Sequence, residues 1–265
     1  MTSLIGWAAI DQRGPSAVYF ASDSRLSGAG SQWDCGRKLF ACLNSPDIFA
    51  YCGAVLFPTQ VLGQLTAAID AGLLFSEDAQ PEEKLAAVST KIKNALRNFP
   101  ESKYDFSIAY ATRGGSGFDD ATFVVATIAW HAYDGFTTER YSIPAHSDLL
   151  FAYGTGATAA RESHLTWKVS DVGRTSRAVF SAFCDAIRSG QDQYTGGAPQ
   201  LVGIYLRGPA RVFGIFHDGS CYLHGMLADP QNSSTLECRN ALFEPCNLDG
   251  QPNGKRHSRP RRRKL

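Results

Sequence analysis

The sequence has no apolar run of the roughly 18 residues that a membrane-spanning helix needs. Its first residues lack the basic flank and apolar core of a secretory signal peptide. We therefore expect a cytoplasmic protein that does not enter a membrane. The 265 residues are 44% hydrophobic and 19% charged, which is an ordinary globular composition and enough chain for one large domain or two small ones.

Several common signatures of functional sites are also missing. The seven cysteines are an odd number without a CxxC spacing, and the six histidines form neither HxxxH nor HExxH. This pattern argues against a disulfide framework and against a zinc site, and it fits a reducing compartment. There is no GxSxG elbow. We therefore expect neither a metal nor a cofactor.

Residues 154–159 loosely match the GxGxxG/A fingerprint of a dinucleotide site. Such a site needs a βαβ unit and an acidic residue some 20 positions further on. Residues 174–177 instead read Arg-Thr-Ser-Arg, at the start of a predicted helix. The dinucleotide interpretation is therefore not favoured.

Positive charge is concentrated at the end of the chain. Residues 251–265 hold seven Lys/Arg and no acid, which leaves 19 Lys/Arg against 25 Asp/Glu in the rest. A segment of this kind, with Pro252 and Pro260 inside it, cannot bury apolar surface, so we predict a disordered basic tail. It is either simply solvated or a contact for nucleic acid, an acidic partner or a neighbouring subunit. Its partner is left open.

Hydrophobic periodicity predicts groups of strands separated by pairs of helices. The first helix ends at Gly72, the second begins at Pro81, the third runs to about Trp167, and the fourth spans 175–188 and is closed by Gly190. A Gly/Ser-rich loop is expected over 27–31. Consecutive strands favour antiparallel sheets with helices outside, an α+β fold. Strands are predicted at 3–10, 16–21, 38–42, 48–52, 104–111, 122–130, 149–153, 201–206 and 211–216.

Thr2 directly follows Met1. Threonine is small enough for an aminopeptidase to remove Met1, which would leave a hydroxyl and a free α-amine on one residue. The hydroxyl is a nucleophile, and an α-amine with a pKa of about 7.7–8.0 is a base near neutral pH. Many proteins carry a small second residue, so Thr2 alone does not establish this chemistry.

Asp23 and Lys38 fall at the ends of predicted strands, and we expect them to form a buried ion pair. Such a pair is often purely structural. Beside Thr2, however, the Lys38 ammonium would favour loss of the hydroxyl proton, and Asp23 would orient Lys38 through a charge-assisted hydrogen bond.

These motifs resemble the proteasome β-subunit family, the N-terminal nucleophile hydrolases that include HslV and Anbu. The resemblance runs from Thr2 to about Leu206. Thr2 stands where the family has its nucleophile, and five further segments match in register. They are Asp23-Ser24-Arg25 (DSR), Lys38-Leu39-Phe40 (K-[LV]-F), Cys52-Gly53 (AG, whose glycine N–H serves the oxyanion hole), and the pair Gly154-Thr155-Gly156 (G-S-G) with Asp192 to Gly197 (D-x-x-S-G-G).

The resemblance implies a four-layer αββα sandwich and a threonine-type endopeptidase. Thr155, Asp192 and Thr195 would support the terminal amine and the nucleophilic water, and Gly53 would serve the oxyanion. The implied substrate is a peptide or unfolded protein, the implied assembly is a homo-oligomeric ring, and an ATPase unfoldase is a possible further partner. Two alternatives stay open: a non-peptidase amidohydrolase on the same scaffold, and a catalytically silent structural subunit.

The sequence also departs from the family. The Asp23–Lys38 spacing is one residue shorter than in typical proteasome β subunits and closer to Anbu. We expect no propeptide, as in HslV and Anbu. Residues 113–120 look like an insertion. No family counterpart is evident beyond residue 224, so we divide the chain into a main domain (1–224), a C-terminal extension (225–250) and the basic tail (251–265).

Overall fold

The computed structural model describes residues 2–28, 30–100, 103–115, 117, 119–229 and 236–253. The predicted basic tail lies outside these residues from position 254 onward. The four helices are α1 (Leu56–Asp70), α2 (Pro81–Arg97), α3 (Ala157–Lys168) and α4 (Ser176–Ser189). The strands are β1 (Leu4–Asp11), β2 (Gly14–Ser22), β3 (Leu26–Gly28), β4 (Ser31–Trp33), β5 (Leu39–Ala41), β6 (Asp47–Gly53), β7 (Phe106–Gly114), β8 (Thr122–His131), β9 (Gly135–Arg140), β10 (Asp148–Tyr153), β11 (Gln200–Tyr205), β12 (Arg211–His217), β13 (Ser220–Leu223), β14 (Met226–Leu227), β15 (Cys238–Arg239) and β16 (Pro245–Cys246).

The larger sheet has the strand order β10-β1-β2-β11-β12-β13-β14, with β15 added on β12 and β16 on β15. A second sheet has the order β5-β6-β7-β8-β9. Within the described residues the strands pair antiparallel, apart from the parallel pair β12–β15. The predicted alternation of strand groups with helix pairs and the mixed helix-and-sheet class are confirmed.

Three apolar clusters hold these elements together, and the alternation of side chains along each strand explains them. Tyr19 in β2 packs with α3 and α4, whereas Phe20 packs in a cluster shared by both sheets. Likewise, Phe49 in β6 packs with α1 and α2, whereas Ile48 joins the shared cluster. Because both faces of these strands are buried, the strands read as continuous apolar runs.

The structure adds strands that the sequence patterns did not predict. A loop was expected over residues 27–31, but β3 and β4 pair there as a short antiparallel hairpin. The strand β9 is an edge strand whose last four residues are exposed, so it has no apolar alternation to detect. Strands β13 to β16 have two to four residues each, which is too short for a periodic signal.

The proposed C-terminal extension is hydrogen-bonded to the larger sheet. Strand β14 pairs with β13, and β15 pairs with β12. The division after residue 224 therefore falls in the turn between β13 and β14, and it stays a prediction. The expected helix ends are confirmed at Pro81, the first residue of α2, and at Gly190, whose φ of 64° caps α4. Within the described part of the chain, no helix is both long enough and apolar enough to cross a membrane.

Candidate active site

The predicted ion pair between Asp23 and Lys38 is confirmed. Asp23 directly follows β2 in the larger sheet, and Lys38 directly precedes β5 in the smaller one. The Lys38 Nζ atom lies 2.6 Å from Asp23 Oδ1, and neither side chain is exposed to solvent. Burial lowers the pKa of Lys38, and the Asp23 carboxylate opposes that shift. The pair thus joins the two sheets where β2 ends and β5 begins.

Asp23 is a branching point for main-chain hydrogen bonds. Its Oδ1 also accepts from the Ser3 N–H (3.0 Å), and its Oδ2 accepts from the N–H groups of Arg25 (3.1 Å) and Gly196 (3.1 Å). In return, the Asp23 N–H donates to Ser3 O at 3.1 Å. A buried charge is tolerated when such bonds satisfy it. One carboxylate therefore holds together the start of the chain, Lys38 and the loop before β11.

Thr2 is buried two residues before the start of β1. Its carbonyl oxygen accepts from the Gly156 N–H at 3.4 Å. Gly154 has a φ of +88°, and a Cβ atom there would come within 1.9 Å of the same oxygen. Only glycine fits this position, because a side chain would collide with the backbone of Thr2. The Gly154-Thr155-Gly156 segment therefore packs directly against Thr2.

Thr155, Asp192 and Thr195 form a second hydrogen-bonded cluster. Both threonine hydroxyls donate to Asp192 Oδ2, Thr155 at 2.6 Å and Thr195 at 2.7 Å, and the Tyr194 N–H donates to Oδ1 at 3.1 Å. Partial burial would raise the pKa of Asp192, but these three hydrogen bonds outweigh it and hold that pKa below its ordinary value.

Gly156 connects this cluster to the start of the chain. A Cβ atom on Gly156 would lie 2.6 Å from Thr195 Oγ1 and 2.7 Å from Ser3 Cβ. Thr195 and Ser3 therefore flank the same glycine. The cluster around Asp192 and the Asp23–Lys38 pair thus meet at residues 2 and 3.

Gly53 is the last residue of β6, in the smaller sheet. Its φ is +94°, and a Cβ atom would come within 2.5 Å of Asp105 O, so this backbone position also requires glycine. Its neighbour Cys52 lies within electrostatic reach of Lys38. Burial raises the pKa of the Cys52 thiol to about 11, and the ammonium opposes that shift. Gly53 therefore directly follows Cys52, whose side chain interacts with Lys38. The oxyanion role of the Gly53 N–H stays a prediction.

Sequence reasoning did not select two residues that organise this site. Arg25 belongs to the Asp23-Ser24-Arg25 motif without a predicted role of its own, yet its guanidinium pairs with both oxygens of Asp34 (2.7 and 2.9 Å) and donates to Gln193 O (3.0 Å). Gln200, the first residue of β11, is fully buried beside Asp23 and Lys38. The one signal for Gln200 in the sequence is that a polar residue stands at the start of an apolar strand.

The arrangement can stabilise negative charge beside the first residues of the chain. The buried Lys38 ammonium and the Ser3 N–H donate to the same oxygen atom, Asp23 Oδ1. Preorganised charges of this kind are most effective where water is excluded. No group of three His, Cys, Asp or Glu side chains within the described ranges is placed to hold a metal ion.

Comparison with known proteins adds information on the fold. No protein-family model matches the chain, and no curated protein matches it. Among solved structures, Thiobacillus denitrificans BPH is similar with a TM-score of 0.50 and 15% identity, over 77% of this chain and 98% of that one. Eukaryotic HslV from Trypanosoma brucei aligns with a TM-score of 0.48 and 12% identity, over 76% of this chain and 99% of that one. The similarity to BPH shows a shared fold.

Proposed function

We propose that this chain is a threonine-type peptidase of the proteasome family whose nucleophile is the Thr2 hydroxyl, exposed as an N-terminal residue after removal of Met1. One observation carries the proposal. Asp23 Oδ1 accepts hydrogen bonds both from Lys38 Nζ and from the Ser3 N–H. The ammonium is thereby held next to the peptide unit that joins Thr2 to Ser3, where a chain-end nucleophile needs it.

The same proposal includes a four-layer arrangement of α1/α2, the smaller sheet, the larger sheet and α3/α4. The three apolar clusters support it, because one lies on each helix pair and the third is shared by the two sheets. In that arrangement the site is at one end of the interface between the sheets. Asp23 belongs to one sheet and Lys38 to the other.

The reaction would proceed through a covalent ester. The Thr2 hydroxyl attacks the carbonyl carbon of a peptide bond, and the α-amine of Thr2 takes up the hydroxyl proton. It then delivers this proton to the leaving amine as the C–N bond breaks. Water attacks the resulting ester, again with the α-amine as the base, and restores the hydroxyl. Lys38 lowers the energy of the alkoxide by its charge.

The remaining candidates have supporting roles. The Gly53 N–H would donate to the oxyanion, and loss of such a donor typically costs about 2.7–4 kcal/mol of transition-state stabilisation. Thr155, Asp192 and Thr195 would orient the α-amine and the attacking water. Their hydrogen bonds keep Asp192 ionised, so that it accepts hydrogen bonds from the groups around it.

The expected context follows the same family. We propose a cytoplasmic homo-oligomeric ring that encloses the sites, acts on peptides or unfolded protein, and works with an ATPase unfoldase. Native mass spectrometry of the purified protein tests the ring directly. A monomer would contradict it and favour the alternative of an amidohydrolase that acts on small amides.

The decisive experiment compares Thr2→Ala with Thr2→Ser. Alanine and serine are both small, so Met1 removal, read by intact mass, should be the same in both variants. We expect peptide hydrolysis to disappear in Thr2→Ala and to persist in part in Thr2→Ser, which keeps a hydroxyl. Undiminished hydrolysis in Thr2→Ala, or retention of Met1 in an active wild type, would rule the mechanism out. Labelling by an electrophilic peptide inhibitor separates an active chain from a silent structural subunit.

A further inference from the structure

Gln200 is the first residue of β11, and its side chain is fully buried next to the Asp23–Lys38 pair. We propose that Gln200 is a positioning residue that holds the main chains of Lys38 and Asp23 in the geometry the site requires. The inference rests on the proposed function for its catalytic consequence. The positioning of Lys38 by Gln200 does not depend on the proposed function, because the titration of the Lys38 side chain can be measured without any turnover.

The orientation of the carboxamide follows from its partners. The Lys38 N–H lies 3.1 Å from one carboxamide atom, which must be the oxygen because a backbone N–H can only donate. The amide nitrogen therefore faces three acceptors, Gly36 O (2.7 Å), Ser24 Oγ (3.0 Å) and Asp23 O (3.2 Å), and shares its two hydrogens among them. The Ser24 hydroxyl donates in turn to Ala198 O, so its oxygen is available to accept. All four contacts agree with one orientation.

These contacts link the two sheets at the site. Asp23 and Ser24 follow β2 in the larger sheet, whereas Gly36 and Lys38 precede β5 in the smaller one. Gln200 therefore connects both chain segments from a third strand. The Lys38 main chain is held on both sides, because its carbonyl oxygen accepts from the Tyr51 N–H at 3.2 Å. With its backbone fixed in this way, the lysine can place its ammonium 2.6 Å from Asp23.

No other side chain supplies the same set of bonds. Glutamate keeps an acceptor oxygen but loses the two amide hydrogens, and it brings a carboxyl group into a buried place. Methionine has nearly the same length but makes none of the bonds, which would leave several buried groups without partners. Both variants keep the shape of the side chain, so the comparison isolates its hydrogen bonding.

Gln200→Met should lower kcat while leaving KM nearly unchanged, because the carboxamide is buried and contacts the main chains of the proposed catalytic pair. A displacement of about 1 Å in a reacting group costs on the order of 100-fold in rate. We therefore expect a loss of about that size in kcat. Gln60→Met, on the exposed face of α1, is the matched control and should hydrolyse peptide like the wild type.

Gln200→Glu should move the pH–rate profile to higher pH. The titratable groups that act on Lys38 are Asp23, Cys52 and Asp34, together with the α-amine of Thr2 after processing. An added carboxylate beside the Lys38 main chain favours the charged ammonium and so raises the pH at which it loses its proton. A purely structural defect would lower the rate at every pH without moving the profile.

The titration of Lys38 tests the inference without turnover. Protein with 13C-labelled lysine is titrated by NMR, and the Lys38 signal is identified by its absence in Lys38→Arg. We expect the Lys38 midpoint to move upward in Gln200→Glu and to stay unchanged in Gln60→Met. A wild type without Thr2-dependent hydrolysis would overturn the proposed function, yet this titration would still test Gln200.

An unchanged Lys38 titration together with an unchanged pH–rate profile in Gln200→Glu overturns the positioning role. Wild-type kcat in a folded Gln200→Met overturns it as well. If Gln200→Met does not fold, Gln200→Glu decides alone, because it keeps the length of the side chain and the oxygen that accepts from Lys38. Circular dichroism of each variant establishes which case applies.

Discussion

Lys38 donates to Asp23 across 2.6 Å (Nζ to Oδ1) at a point where neither side chain is exposed to solvent. Removing one partner of such a pair leaves a buried charge uncompensated, which typically costs about 3–5 kcal/mol of stability. Replacing both partners removes that penalty. The pair thus connects the stability of the fold with the chemistry proposed for it.

We expect Lys38→Met to destabilise the protein by about 3–5 kcal/mol, and Asp23→Asn combined with Lys38→Met to recover part of that loss. Denaturant unfolding of the single and double variants measures both effects. The exposed pair Arg13–Asp11 provides the control, since Arg13→Met should not change stability measurably. Equal losses for Lys38→Met and Arg13→Met would contradict the importance of the buried pair.

Gly154→Ala should damage the protein far more than Gly190→Ala. Both glycines have positive φ, but a Cβ atom at Gly190 meets nothing within 4 Å, whereas one at Gly154 would come within 1.9 Å of Thr2 O. Gly190→Ala therefore costs only the left-handed strain of about 1–2 kcal/mol. Gly154→Ala must also displace Thr2. Thermal unfolding and peptide hydrolysis of the two variants test this, and similar values would refute the close packing against Thr2.

Thr195→Val should weaken the cluster around Asp192, whereas Thr195→Ser should preserve it. Valine has nearly the shape of threonine but cannot donate, so one hydrogen bond to the Asp192 carboxylate is lost at a cost of about 1–3 kcal/mol. Serine keeps the hydroxyl. Chemical unfolding and hydrolysis rates of both variants provide the measurement. If Thr195→Ser loses as much as Thr195→Val, the methyl group matters and the hydroxyl does not.

The stabilising effect of Asp192 should disappear in acid. Hydrogen bonds hold its pKa in the folded protein below the value of about 3.9 expected in the unfolded chain. The folded state therefore binds fewer protons, so its extra stability is present above about pH 4 and is lost as the pH falls through the folded-state pKa. The measurement is the difference in unfolding free energy between wild type and Asp192→Asn from about pH 6 to about pH 2.

The difference in unfolding free energy between wild type and Asp192→Asn should become smaller as the pH falls. Asp171→Asn, which removes an exposed carboxylate, serves as the control for loss of one negative charge. A difference for Asp192→Asn that stays constant over the whole range would show that its hydrogen bonds do not depend on ionisation.

Phe243 anchors the C-terminal extension to the face of the larger sheet that packs with α3 and α4. Its ring centroid lies 5.4 Å from that of Tyr19, 5.5 Å from Phe180 and 6.0 Å from Trp7. Because Phe243 is only partly buried, we expect Phe243→Ala to cost about 2 kcal/mol, below the range for fully buried phenylalanines. Tyr133→Ala, at a fully exposed position, should cost nothing. A single unfolding transition in all variants would show that extension and body unfold together.

Much of this architecture follows from local patterns in the sequence. Continuous apolar runs indicated strands buried on both faces, and Phe20 and Tyr19 do pack into different clusters. Periodic apolar residues and terminal signals such as Pro81 and Gly190 located the helices to within a few residues. The short and polar strands were missed because two to six residues at an edge carry no periodic signal.

The candidate site likewise contains residues that the sequence predicted and one that only the structure shows. Asp23, Lys38, Thr155, Asp192 and Thr195 were selected from motifs, and the structure brings them into two hydrogen-bonded groups. Gln200 could not be selected, because its partners Asp23 and Lys38 lie 177 and 162 residues away. A glutamine read alone predicts an exposed residue.

The sequence by itself determined which stretches become strands and helices and which polar residues are available for chemistry, because those properties depend on neighbouring residues. Only the tertiary structure decided that Thr2, Gly154 and Asp23 meet, and that Gln200 supports the lysine. Those contacts arise when two sheets stack and bring distant strand ends together. No local sequence pattern predicts how the sheets stack, because stacking is driven by burial of apolar surface across the whole chain.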